Sequence, residues 1–136
     1  MKSDNEVNKE IRAKLKAEFP DCKFSVVKRL GAMCIDTTIA LMSAPFDAII
    51  GGKAWQNGYA QLNEYQLKGK APAENFICNG AMLTKQCWNT MKRVIEIAEE
   101  TGSYDYQNSF LSVHIGKWDK PFIRRNNYET NDPILR

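Results

Sequence analysis

Leu111, Val113 and Ile115 alternate with Ser112 and His114, and this period of two constrains the chain more tightly than any other feature. A segment patterned this way folds as a strand with one face buried, because a one-residue slip would turn all three aliphatic side chains to water. Gly116, Trp118 and Pro121 end the strand and place two aromatics, Trp118 and Phe122, on its exit. Two earlier segments share the period. From Lys23 to Leu30, Phe24, Val26 and Leu30 share one face with Lys28, while Ser25, Val27 and Arg29 share the other. From about Met33 to Met42, Met33, Ile35, Thr37, Ile39 and Leu41 alternate with Asp36, Thr38 and Ala40. Gly31-Ala32 lies between the two as a tight turn, so they read as a hairpin.

Two further segments follow the helical period. Val7, Ile11, Leu15 and Phe19 recur every four residues among Lys9, Arg12, Lys14 and Lys16. Ser3 and Glu6 read as a capping box at the start, and Pro20-Asp21 stops the helix. From Thr84 to Thr101, Cys87, Met91, Val94 and Ala98 form a stripe widened by Trp88, Ile95 and Ile97, with Gly102 as the C-terminal cap. Between the hairpin and this helix the pattern is lost. Pro45 ends the second strand, Gly51-Gly52 is a flexible point, and Leu67 to Pro72 reads as polar linker. The economical fold is α+β: an antiparallel sheet of three or more strands with two helices packed on one face, in the order α-β-β-(irregular or short α)-α-β. A short helix or a fourth strand between Ala54 and Leu67 is the alternative. The expected core is Val7, Ile11, Leu15, Phe19, Phe24, Val26, Ile35, Ile39, Met91, Val94, Ala98, Leu111, Val113 and Ile115. Residues 1–125 form a single domain in this reading, and 126–136 a loosely held tail.

Composition narrows the function classes. The chain of 136 residues suits one modest core. Its 19 basic and 16 acidic residues leave a net charge of +3, which permits acidic partners without demanding nucleic acid. The polar start leads straight into the first helix, and no apolar run approaches the roughly 18 residues of a membrane span. The expected location is therefore cytoplasmic. Cys22, Cys34, Cys78 and Cys87 form no Cys-x-x-Cys pair, and there is one histidine, so neither a metal, a cofactor nor a disulfide is expected. Phosphate-binding glycine loops, nucleophile elbows and metal-binding histidine pairs are absent from the sequence, and the chain is read as a non-enzyme with no catalytic residues.

Three groups of residues carry what functional signal there is. His114 faces away from the core in its strand, near Asp36 or Thr38 of a neighbour. A His-Asp pair, with Cys34 on the same face, would suit proton transfer or thiol chemistry, but a cross-strand hydrogen bond is the simpler role. Trp55, Asn57, Tyr59, Gln61, Asn63 and Tyr65 mix aromatics with amides at low charge, which suits a partner-binding surface. Against that stands a helical stripe of Trp55, Tyr59 and Leu62 that simply covers the sheet. Lys28 and Arg29, and then Lys117, Lys120, Arg124 and Arg125, are two short basic groups. With Trp118 beside them they could meet a nucleic acid through phosphates and stacking, weakly and with steep salt dependence, or an acidic partner.

Four islands carry a resemblance. They are Ile11-Arg-Ala-Lys-Leu-Lys-Ala-Glu-Phe-Pro-Asp-Cys-Lys-Phe-Ser-Val-Val27, Ile35-Asp-Thr-Thr38, Gly58-Tyr-Ala-Gln-Leu-Asn63 and Ser112-Val-His-Ile-Gly-Lys-Trp-Asp-Lys-Pro-Phe122. In this order they resemble the large polyvalent-protein-associated domain family numbered twenty-nine, found in multi-module proteins of phages and conjugative elements. The resemblance implies no catalytic residues. It implies a setting, a mobile element entering a cell that defends itself. A free-standing copy would there act as an anti-restriction or anti-CRISPR type inhibitor on a host defence protein, or as a nucleic-acid-binding accessory module. An enzyme on the outer sheet face is the third reading.

Overall fold

The computed structural model describes residues 4–30, 35–52, 59–62, 64–68, 76–78, 81–101 and 109–125, with backbone alone at 4, 5, 29, 30, 35, 36, 52, 64, 65, 109 and 110. Ser3, Gly31-Ala32, Cys34, Gly102 and the segment 126–136 lie outside them.

Helix α1 (Asp4–Glu18) forms where the four-residue apolar spacing predicts it. Ile11 and Leu15 are fully buried, and Val7 and Phe19 pack half-buried against the core. Phe19 N–H donates to Leu15 C=O at 2.8 Å and closes the last turn, after which Pro20-Asp21 redirects the chain. Strand β1 (Lys23–Leu30) pairs antiparallel with β2 (Ile35–Ala44), with Phe24 opposite Leu41 and Val26 opposite Ile39. Pro45 stops β2 as expected. Helix α3 (Lys85–Thr101) buries Cys87, Trp88, Met91, Val94, Ile95, Ile97 and Ala98. Its N-cap is Thr84, whose Oγ1 accepts the Cys87 N–H at 3.1 Å, while Thr84 N–H donates to Ala48 C=O at 3.0 Å.

The α+β architecture is as the patterning requires, but the sheet is mixed rather than purely antiparallel. Strand β7 (Ser109–Ile115) runs parallel to β2, with Ile39 opposite Val113 and Leu41 opposite Ile115. The reason lies in the connection. Parallel neighbours need a long crossover, commonly through a helix, and α3 lies directly before β7. The alternation fixes which side chains face inward in either direction, so the period alone is silent on the strand's sense.

The segment expected to be irregular holds both alternatives at once. A short strand β4 (Ala60–Gln61) pairs antiparallel with β7, and a short helix α2 (Glu64–Lys68) follows. Leu62 and Leu67 are buried, so Leu67 belongs to the core and not to a linker. Tyr59 and Leu62 do not form one covering helical stripe: Leu62 enters the core, and Tyr59 lies on the opposite side of the sheet. A second, unanticipated sheet is built from β3 (Ile49–Gly52), β6 (Ala81–Leu83) and β5 (Phe76–Cys78), in the order β3-β6-β5. It closes the core beside α3, where Phe76 meets Trp88 edge-on at 5.9 Å. Finally, β8 (Ile123–Arg124) pairs parallel with Ser43 and Ala44, continuing along β2 beyond the end of β7.

The helices occupy one face of the main sheet, whose order is β1-β2-β7-β4. Val26, Ile39, Leu41, Val113 and Ile115 are buried beneath them; of the other expected core positions, Ile11, Leu15, Met91, Val94, Ala98 and Leu111 are buried, Val7, Phe19 and Phe24 are half-buried against the core, and Ile35 is described by backbone alone. Arg93 joins α3 to α1 through both carboxylate oxygens of Glu18, at 2.8 and 2.9 Å, and also reaches Glu100 at 3.0 Å. Lys14 donates to Thr101 Oγ1 at 2.8 Å across the same pair of helices. The exposed ion pairs of Arg93 orient the helices more than they stabilise them. Among the described residues, no helix is long and apolar enough to cross a membrane.

Candidate binding face of the sheet

The other face of the main sheet turns away from the helices. In a strand, alternate residues point to opposite faces, so burying Val113 and Ile115 puts His114 on the outside. The parallel register sets His114 beside Ala40, and β4 sets Gln61 against His114 from the other edge. Leu62 N–H donates to Val113 C=O at 2.9 Å and locks that edge. Two residues before Gln61 on the same side, Tyr59 lays its ring over the imidazole, with centroids 5.8 Å apart and planes 15° apart. The Tyr59 hydroxyl sits 3.3 Å from His114 Nδ1.

The exit from β7 completes the face. Gly116 has φ 68°, a left-handed conformation that glycine accepts without strain, and its N–H donates to Leu41 C=O at 2.9 Å. The chain then makes a tight two-residue turn, closed by mutual backbone bonds between Lys117 and Lys120 at 2.8 and 3.1 Å. Trp118 and Asp119 form its tip. Trp118 is 87% exposed, the most exposed large apolar side chain described. A groove of about 300 Å³ runs between Val27, Thr38, Tyr59, His114, Lys117 and Trp118, with Ala40 on its floor.

The chemistry available here is recognition. Of the two neighbours expected for His114, Thr38 shares the groove. Asp36 pairs with Phe110, four residues along β2 from the position facing His114, or roughly 13 Å at strand spacing. Asp36 is described by backbone alone, so its side chain lies outside the described residues. Cys34 lies outside the described residues. Cys22 and Cys87 are both held protonated by burial: the Cys22 thiol is pushed up to about 11, with the Asp21 charge as a smaller cause, and Cys87 is pushed up further. Neither is an activated nucleophile at neutral pH. Among the described residues, no group of three His, Cys, Asp or Glu side chains stands close enough to hold a metal.

The structure redistributes the other candidate residues. Tyr59 and Gln61 reach the outer face, Tyr65 is described by backbone alone in α2, and Trp55, Asn57 and Asn63 lie outside the described residues. The basic residues near the C-terminal end do not form one patch. Lys117 and Lys120 flank the Trp118 turn, Arg124 pairs with Asp47 at 3.3 Å, and Arg125 lines a separate cleft with Arg12. Lys28 is exposed on the helix side of β1, and Arg29, described by backbone, pairs with Asp36. Sequence reasoning missed the Tyr59–His114 pair. The two residues are 55 positions apart, and no spacing rule joins them; only the β4–β7 register does.

Comparison with curated proteins and with solved structures finds no match. The family model of large polyvalent protein associated domain 29 matches residues 2–93, from the start of α1 into α3. That span includes the first three islands of the sequence resemblance and ends before the fourth, Ser112 to Phe122. It covers more than half of the chain, and the chain therefore belongs to the large polyvalent protein associated domain 29 family, a module associated with phages and mobile genetic elements.

Proposed function

We propose that this mobile-element module is a non-enzymatic binding protein that inhibits a host defence protein stoichiometrically, in the cytoplasm of the invaded cell. The reading is carried by one observation, the Trp118 side chain held almost wholly in solvent at the tip of a hydrogen-bonded turn. Exposing a large aromatic costs hydrophobic free energy in the free protein, and a rigid turn removes the ordering entropy of inserting it into a partner's pocket. Tyr59, Gln61 and Thr38 beside it supply amphipathic area and hydrogen-bonding groups of the kind that ring an interface anchor. The family setting supplies the context in which such binding would be inhibitory.

The test is capture of partners from host lysate by wild-type protein and by Trp118→Ala and Tyr59→Ala, with and without nuclease. A protein partner retained after nuclease, and lost with Trp118→Ala while the variant stays folded, supports inhibition by protein binding. Capture unaffected by both substitutions sinks it. One observation favours a second reading. Lys117 and Lys120 bracket Trp118, a spacing that suits stacking on a base with phosphates to either side. Loss of all captured material on nuclease treatment selects that nucleic-acid reading.

A further inference from the structure

On the helix side of β1, where the chain turns from α1 into the sheet, an open cleft of about 380 Å³ carries four cationic side chains, Arg12, Lys16, Lys23 and Arg125. Among the described residues none that lines it is acidic, although Asp21 lies close enough to act on the Cys22 thiol. Three separate elements deliver these charges: α1 gives Arg12 and Lys16, β1 gives Lys23, and the end of β8 gives Arg125. Arg12 and Lys16 are four residues apart on one helix face, a like-charge spacing that destabilises a helix. Among the described residues, Lys16, Lys23 and Arg125 have no carboxylate partner. Arg12 donates to the Val26 carbonyl, which fixes its guanidinium at the cleft wall. Arg125 is anchored through its backbone N–H to Ala44 C=O at 2.7 Å, and its buried Nε has no hydrogen-bond partner among the described residues. A buried donor on a charged group without an acceptor is costly, and its usual explanation is a water or an anion.

The floor of the cleft is apolar, made by Leu15, Phe24 and Val26 beside Cys22. Its volume falls within the range of about 300–1,000 Å³ of small-molecule sites. We propose that this cleft is an anion site for a small phosphate monoester with a ring-shaped body: the phosphate bridges Arg125, Lys23 and Arg12, and the ring lies on the half-buried Phe24. Charge alone would favour any anion. The pairing of a guanidinium-rich wall with an apolar floor selects one that carries both phosphate and ring, because guanidinium groups match phosphate oxygens in fork geometry. The site is separate from the outer face, on the opposite side of the sheet, and does not rest on the proposed function.

The experiment is titration calorimetry of the full chain with phenyl phosphate, adenosine monophosphate, inorganic phosphate and phenol, with protection of Cys22 from iodoacetamide as a second readout. Phenyl phosphate or adenosine monophosphate should bind saturably, more weakly as salt rises, and about tenfold or more tighter than inorganic phosphate or phenol. Tighter binding of adenosine monophosphate assigns a nucleotide as the source, and tighter binding of phenyl phosphate an aryl phosphate. Arg125→Gln and Lys23→Gln should each weaken binding about tenfold and remove the protection of Cys22, and Lys85→Gln, at an exposed position outside both the cleft and the outer groove, should do neither. Circular dichroism keeps a misfolded variant out of the comparison. Affinity unchanged in both cleft variants, or no saturable binding of either ring phosphate at low salt, overturns the proposal. So does binding of a single-stranded oligonucleotide through these residues while neither ring phosphate binds.

Discussion

The two faces of the main sheet come from the same strands and have opposite fates. On the inner face, Val26, Ile39, Leu41, Val113 and Ile115 lie under α1, α2 and α3 and are almost wholly hidden from water. On the outer face, Thr38, Tyr59 and His114 line an open groove beside the exposed Trp118. The inner face is chemically uniform: it stabilises the fold through area and close packing, and only aliphatic residues of similar volume replace one another there at modest cost. The outer face is chemically varied and contributes little to the core, so its side chains are free to be chosen for what they touch. The difference separates the residues that hold this protein together from those that give it something to do.

Substitutions on each face should therefore move different quantities, and the largest effect should come from the inner one. Leu15→Ala and Ile115→Ala each open a cavity in the core and should cost about 2–4 kcal/mol of unfolding free energy, read by chemical denaturation. A loss below that range for both would mean that the inner face is not the packed one. Trp118→Ala should do the reverse. Partner binding should weaken by about 1–3 kcal/mol in calorimetry, while stability changes by no more than about 0.5 kcal/mol. If Trp118→Ala instead lowered the melting temperature with affinity intact, the two faces would not be separable. Thr84→Ala removes the cap of α3 and should cost about 1 kcal/mol, a loss confined to stability because it lies on neither face.

The effect that is smallest at neutral pH, where it vanishes, is pH-dependent and sits at the edge of the inner face. Burial, and then Asp21, push the Cys22 thiol up to about 11 from an ordinary 9.0, with Arg125 pulling slightly the other way. The folded chain thus keeps a proton that the unfolded chain releases first. This contribution to stability is complete below about pH 9 and is lost as pH rises towards 11. Cys22→Ala should flatten that alkaline decline, measured as melting temperature against pH between 8 and 11. An unchanged decline would mean that the thiol is not buried as described.

The sequence by itself determined the elements whose burial is periodic. The four-residue stripe of α1, the wider stripe of α3 and the alternation in β1, β2 and β7 each dictate a secondary structure and an inward face. That is because a period of 3.6 or 2 can bury its apolar side chains in only one way. The family was legible too, from the islands on α1, β1, β2 and the run from Gly58 to Asn63. Short elements without a period were not legible. The strands β3, β4, β5 and β6 contain two to four residues each, too few for alternation to register, and they exist because their backbones find partners far along the chain. The direction of β7 was undetermined for a related reason, since the crossover through α3 sets the strand's sense while the pattern sets only its face. Tertiary structure alone decided both candidate sites. Tyr59 meets His114 through a strand register, and Arg12, Lys16, Lys23 and Arg125 converge because the C-terminal half of α1, the start of β1 and the end of β8 meet at the same corner. Burial leaves a rhythm in a sequence because it repeats along one element, whereas a binding site gathers single residues from several elements and leaves no rhythm at all.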